Sequence, residues 1–141
     1  MKKFIITLIV CILSFFAAAQ NGLGKTQEEI RKRITTQKII QLDTLSDGTI
    51  VLGVKDTTLI FQYYFEKDSC FCIAIYPSTP KICDDFFNRL KQTFTYLGDD
   101  IWELKTDSFS ILCEKIYFPD IQEHVYLFFR AVKVANPSNT L

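Results

Sequence analysis

The stretch from Leu59 to Phe94 most constrains what this chain can fold into. Leu59, Phe61, Tyr63 and Phe65 alternate with Ile60, Gln62 and Tyr64, which is the two-residue period of a strand with one face inward. Glu66-Lys67-Asp68-Ser69 reads as a turn. Cys70–Tyr76 then puts Phe71, Ile73 and Ile75 on one face and Cys70, Cys72 and Ala74 on the other. Neither face is polar, so this strand is expected near the centre of a sheet. Pro77 ends it, and Ser78-Thr79-Pro80 offers a hydroxyl N-cap followed by proline at the first helical position. Ile82, Cys83, Phe86, Phe87, Leu90 and Phe94 recur at helical spacing, opposite Asp84, Asp85, Asn88, Arg89 and Lys91. The spacing predicts a helix over about residues 80–95 that lies on a sheet.

The flanks extend the pattern. Thr26-Gln27-Glu28-Glu29 has the form of a capping box, and Ile30 and Ile34 follow at i, i+4, so a short helix is expected over 27–36. Glu28–Lys32 and Glu29–Arg33 are favourable i, i+4 pairs, which makes Arg31-Lys32-Arg33 a solvated helix face. Lys38–Leu45 and Thr49–Val54 flank the hairpin turn Ser46-Asp47-Gly48. Leu97-Gly98-Asp99-Asp100 is a turn, Ile101–Leu104 a short strand, and Phe109–Phe118 and His124–Val134 two more around Pro119-Asp120. Short turns between strands favour antiparallel pairing. The expected fold class is α+β: a two-layer arrangement of an antiparallel β-meander sheet with two helices on one face. No internal repeat is legible.

The first nineteen residues are of a different kind. A basic Met1-Lys2-Lys3 start precedes the apolar run Phe4–Phe16, then Ala17-Ala18-Ala19 and polar Gln20. This is the order of a secretory signal peptide, with cleavage expected after Ala19. Val10 precedes Cys11, where a lipid-attachment motif would want a small residue. The domain reading is a signal peptide over 1–19, a flexible lead over 20–25, one α+β domain over 26–135 and a tail over 136–141. The exported protein is expected in the periplasm or outside the cell, with no stable membrane span after cleavage.

Charge bears on partners. The chain carries 16 basic and 16 acidic residues. Removing residues 1–19 takes away Lys2 and Lys3 and leaves a slight acidic excess, which argues against nucleic-acid binding through bulk charge.

Several motifs resemble functional sites. Gly24-Lys25-Thr26 looks like the end of a phosphate-binding loop, but that loop would need its first glycine at position 19, which is Ala19. Cys70-x-Cys72 with Cys83, Cys113 and His124 lacks the spacing of a structural zinc site, so no metal and no cofactor is expected. His124 is the single histidine, and no nucleophile, base and orienting group come together around it. No catalytic residue is therefore assigned.

Cys70, Cys72, Cys83 and Cys113 are disulfide candidates in an exported chain. Cys70 and Cys72, two apart on one strand, would be roughly 6.5–7 Å apart, at the limit for a bridge. Cys72–Cys83 would need unusual proximity. Cys113 could reach Cys70 or Cys72 only across neighbouring strands. The alternative is that all four are buried apolar residues. Tyr64, with Gln62 and Glu66 on its face, and Tyr126, with Arg130, mark an interaction surface if those faces are open.

Gly24-Lys25-Thr26-Gln27-Glu28-Glu29-Ile30 resembles the opening of bacterial envelope domains with the β-lactamase-inhibitor-like, or outer-membrane-assembly lipoprotein, fold. That resemblance implies a helix followed by a second helix and an antiparallel sheet. Arg33-Ile34-Thr35-Thr36 departs from the Leu-Gly-x-Pro that usually follows there. The chain as a whole is similar to small exported proteins of Gram-negative bacteria, which implies a location and a size. The functional expectation is a small binding domain of the bacterial envelope whose partner is a protein or an envelope component. The alternatives are a periplasmic inhibitor or immunity protein, and a small enzyme using His124 or a cysteine.

Overall fold

The computed structural model describes residues 22–34, 37–56, 59–77, 79–106, 109–120 and 122–132. The segments expected as a signal peptide over 1–19 and as a tail over 136–141 lie outside these residues. Among these residues two helices and eight strands follow in the order α1 (Gln27–Arg33), β1 (Lys38–Thr44), β2 (Ile50–Lys55), β3 (Leu59–Glu66), β4 (Ser69–Pro77), α2 (Pro80–Thr93), β5 (Thr95–Gly98), β6 (Ile101–Lys105), β7 (Phe109–Phe118) and β8 (Glu123–Val132).

Both helices begin where their caps dictate. At α1 the Thr26 hydroxyl accepts from the Glu29 N–H at 3.2 Å, and the Glu29 carboxylate accepts from the Thr26 N–H at 2.9 Å. Ile34 turns extended, so the helix stops at Arg33, short of the expected residue 36. At α2 the Thr79 hydroxyl accepts from the Ile82 N–H, with Pro80 opening the helix. Residues 22–25, expected as a flexible lead, are docked. Leu23 is in the core, the Gly24 N–H donates to the Cys70 carbonyl at 2.7 Å, and the Cys70 N–H donates to that of Lys25.

The strands form one antiparallel sheet in the order β1-β2-β3-β4-β8-β7-β6-β5. This is not the single meander expected. It is two four-stranded meanders that meet where β4 pairs antiparallel with β8, Cys72 opposite Phe129 and Ile75 opposite Tyr126. Each meander follows its own helix, so the described residues run helix and four strands twice, and the strand order is symmetric about the β4–β8 pair. The halves match locally. The Asp56 N–H donates to the Leu59 carbonyl at 2.9 Å, and fifty residues on the Thr106 N–H donates to that of Phe109 at the same distance. At the same offset, Leu52 and Val54 correspond to Trp102 and Leu104, all of them in or against the core.

Two-residue turns with positive φ close the tightest hairpins. Lys67 and Asp68 join β3 to β4, and Asp99 and Asp100 join β5 to β6. The sequence reading missed β5, because Thr95 was placed at the helix end and Leu97 in the turn. The register shift between Tyr64 and Phe65 is a bulge on β4 that corrects the expected faces. Cys70 turns into the core beside Phe65, whereas Phe71 is 41% exposed and packs near Tyr64, with ring centroids 6.4 Å apart.

Core residues from both helices and six strands form one cluster. Phe86 of α2 lies 4.6 Å from the Tyr126 ring and edge-on to Phe128, and Phe94 packs edge-on to Phe128 from the end of the helix. Such aromatic contacts add about 0.5–1.5 kcal/mol each beyond the area they bury.

Candidate binding surfaces

The residues singled out from the sequence do not come together. Tyr64 is half-buried on the sheet face away from the core, where its hydroxyl donates to the Gln62 carbonyl oxygen at 2.9 Å. The Tyr76 hydroxyl donates to the same oxygen at 2.8 Å. Burial and the neighbouring Tyr76 push the Tyr64 phenol up to about 12. Tyr126 and Arg130 do share the other face, but Tyr126 is fully buried beneath α2, so it cannot belong to a surface. Its hydroxyl has only the Cys83 sulfur, at 3.8 Å, as a hydrogen-bond partner among the described residues. Arg130 is exposed further along β8, with its guanidinium over the Phe109 ring at 4.3 Å.

The four cysteines are free. The bulge sends Cys70 and Cys72 to opposite faces. β8 separates β4 from β7, so Cys113 is two strand spacings from Cys70 and Cys72, about 9.6 Å, beyond the reach of a disulfide. Cys83 sits on the core side against Tyr126, away from Cys72. Burial raises the thiols of Cys70 and Cys72 to about 12 and that of Cys113 further still. A thiol reagent at pH 8 is therefore expected to label Cys83 alone among the four in the folded protein, and all four in urea. Mass spectrometry of the labelled protein reads the count. Rapid native labelling of Cys70 or Cys113 would show that the sheet opens.

His124 lines a cleft of about 170 Å³ at the start of α2, with Thr79, Cys83, Asp84 and Glu123. Burial and the nearby Lys115 ammonium hold its imidazole below its ordinary value, against the opposing pull of Asp100. Its ring packs on Tyr117 at 5.1 Å. Among the described residues no hydrogen bond ties it to a thiol or a carboxylate, and no group of three candidate metal ligands gathers.

Two further surfaces stand out. β1 is an edge strand exposed along nearly its whole length. Ile39, Ile40 and Leu42, with Leu45 just beyond it, are 40–53% exposed. A polar bridge holds the strand down. Gln41 and Gln62 both lie opposite Gly53 of the intervening β2, and the Gln62 amide donates to the Gln41 carbonyl oxygen across it at 2.9 Å. A side chain at position 53 would bring its Cβ to 2.7 Å from that of Gln41, so glycine is what lets the two glutamines meet. The sequence read Lys38–Leu45 as one arm of a hairpin. That it is the first strand of a meander was the available sign that it would be an edge.

The second surface is an aromatic cleft at the opposite edge, lined by Phe87, Lys91, Phe94, Tyr96, Asp100 and Trp102. Trp102 meets Phe87 edge-on at 5.4 Å and Tyr96 at 5.0 Å. No family model matches this chain, and no curated protein or solved structure is significantly similar to it.

Proposed function

We propose that this chain is an exported binding domain of the bacterial envelope that receives an extended segment of a partner protein along β1. In this reading the two helices cover one face of the sheet in a two-layer α+β arrangement, and β1 projects past their cover. The exposed aliphatic side chains of β1 carry the proposal. Edge strands present unpaired backbone donors and acceptors, and proteins usually blunt them with charge, proline or bulges. β1 has a bulge between Ile39 and Gln41, yet it keeps its large apolar side chains in solvent. Addition of a strand satisfies both needs, with ladder hydrogen bonds for affinity and side-chain contacts for selectivity.

The area argues for a peptide over a second copy. The four side chains expose the equivalent of about two fully exposed aliphatic residues. That is far below the ~800 Å² each partner contributes to a standard interface. An extended segment needs less area, because the backbone ladder supplies much of the contact.

Two measurements test this reading. The protein recovered from the periplasmic fraction is expected to begin at Gln20, and a chain retaining Met1 would count against export. Envelope proteins captured by the wild-type domain are expected to be lost with Leu42→Lys, whose exposed site tolerates the change. Capture of the same proteins by both forms would remove β1 from the contact.

A further inference from the structure

We propose that the segment received by β1 runs antiparallel to it and carries a lysine or arginine followed four residues later by an aspartate or glutamate, with aliphatic residues between them. This rests on the reading of β1 as the docking edge and adds the chemistry of what docks there.

The register of β1 sets its faces. Ile39 and Leu42 lie opposite Val54 and Leu52, which are in the core, so both project on the side of the helices. Lys38 and Asp43, the residues next to them, project on the other side. The hairpin sets the direction of the backbone groups. The Leu45 N–H donates to the Thr49 carbonyl at 2.7 Å, so Leu45 turns inward to β2. Alternation then turns Asp43 inward, and leaves the N–H and C=O groups of Leu42 and Thr44 on the open edge. An antiparallel strand added there hydrogen-bonds to Leu42 and Thr44. Asp43 then falls in a non-hydrogen-bonded pair, the kind whose facing side chains approach most closely.

Charge gives the edge a polarity. The exposed Asp43 carboxylate accepts from the Gln41 amide at 2.7 Å. At the other end exposed Lys38 sits opposite exposed Lys55, two like charges on paired residues. None of the three has an ion-pair partner among the described residues, where the pairs formed are Lys32–Glu28 and Lys105–Glu103. The β1–β2 register skips Ile40, so an unbroken strand following it passes from Asp43 to Lys38 in four residues, as Val51 to Lys55 do. That is about 13 Å. A segment entering antiparallel meets Asp43 first. A basic residue there and an acidic one four positions on satisfy both ends, and an aliphatic residue opposite Leu42 covers its exposed side chain.

The probe is a fluorescein-labelled peptide, Thr-Lys-Val-Thr-Val-Asp-Thr, compared with its charge-reversed form, Thr-Asp-Val-Thr-Val-Lys-Thr, by anisotropy. The folded protein is expected to bind the first about fivefold more tightly, as two cross-strand charge pairs allow. Lys38→Glu combined with Asp43→Lys is expected to reverse that preference. Both positions are exposed, so the core is untouched. Leu42→Lys is expected to weaken both peptides. Equal affinities, a preference unmoved by the charge swap, or no saturable binding of the first peptide would each overturn the charge order. If Leu42→Lys still abolishes capture of envelope proteins, the edge itself stands. Peptide binding unmoved by Leu42→Lys would remove β1, and the proposed function with it. A dimer in sedimentation that Asp43→Lys dissociates would give the edge to a second copy and overturn the partner segment.

Discussion

Phe128→Ala is expected to destabilise the domain by about 3–5 kcal/mol, the range for a fully buried phenylalanine cut to alanine. Phe128 is fully buried on β8, with Ile73 of β4 opposite on one side and Cys113 of β7 on the other. Phe86 of α2 and Phe94, which caps that helix, both meet it edge-on, so the truncation opens a cavity beneath the helix at the junction of the two meanders. Domains of this size hold about 5–15 kcal/mol in all, so the loss would take from about a fifth of the stability to all of it. The melting midpoint should fall by roughly 10–20 °C. Phe129→Ala is the control. Phe129 is the next residue on the same strand, half-buried on the opposite face, and its truncation should cost well under half as much. Urea unfolding followed by circular dichroism measures both. Equal losses would mean that α2 does not close the core over β8.

The second large effect is local. Gly53→Val is expected to release β1 while leaving the rest of the sheet folded. The new side chain would collide with Gln41, and the backbone of β2 cannot yield, because β3 holds its other edge. Overpacking of this kind costs about 1–3 kcal/mol, and loss of the glutamine bridge adds about 0.5–1.5 kcal/mol. β1 has one neighbouring strand and little burial, so it should give way first. Hydrogen exchange resolved by mass spectrometry should show residues 38–44 losing protection while β4 and β8 keep theirs. Adding Gln41→Ala should recover part of the loss, because it removes the partner in the clash, and such coupling between touching residues is non-additive. Unchanged protection of β1 in Gly53→Val would show that the edge is held by something other than the bridge.

Much of the fold could be read from local patterns, because local chemistry set it. Thr26 and Thr79 cap the two helices, and the alternation of Leu59 to Phe65 survives as the burial pattern of β3. What escaped depended on distant partners. The bulge at Phe71 exists because β3 and β4 differ by one residue across their pairing, and a period-two reading of β4 alone cannot register that. β5 is four residues long and continues directly from α2, so Thr95-Tyr96-Leu97 has too little length to show a period. The repeat of the two halves was hidden because it preserves burial more than identity: Leu52 against Trp102, Phe61 against Ile111. Tyr126 and Arg130 were correctly placed on one face, but nothing within β8 says where a helix will cross it. The surface that carries the functional proposals was the least legible, since an edge is a property of the assembled sheet.

The meeting of β4 with β8 also dictates an order of folding. Every other strand pair joins chain neighbours across a short turn, and such hairpins form within microseconds. The β4–β8 ladder instead joins Cys72 to Phe129, and the loop between them must close before any of its contacts is gained. Until β8 has been made, the inner edge of β4 lies open between two largely apolar faces. A nascent or truncated chain ending before His124 therefore carries an unpaired sticky edge at what should be the middle of the molecule. Residues near the C-terminal end of the domain thus guard against aggregation of the N-terminal half.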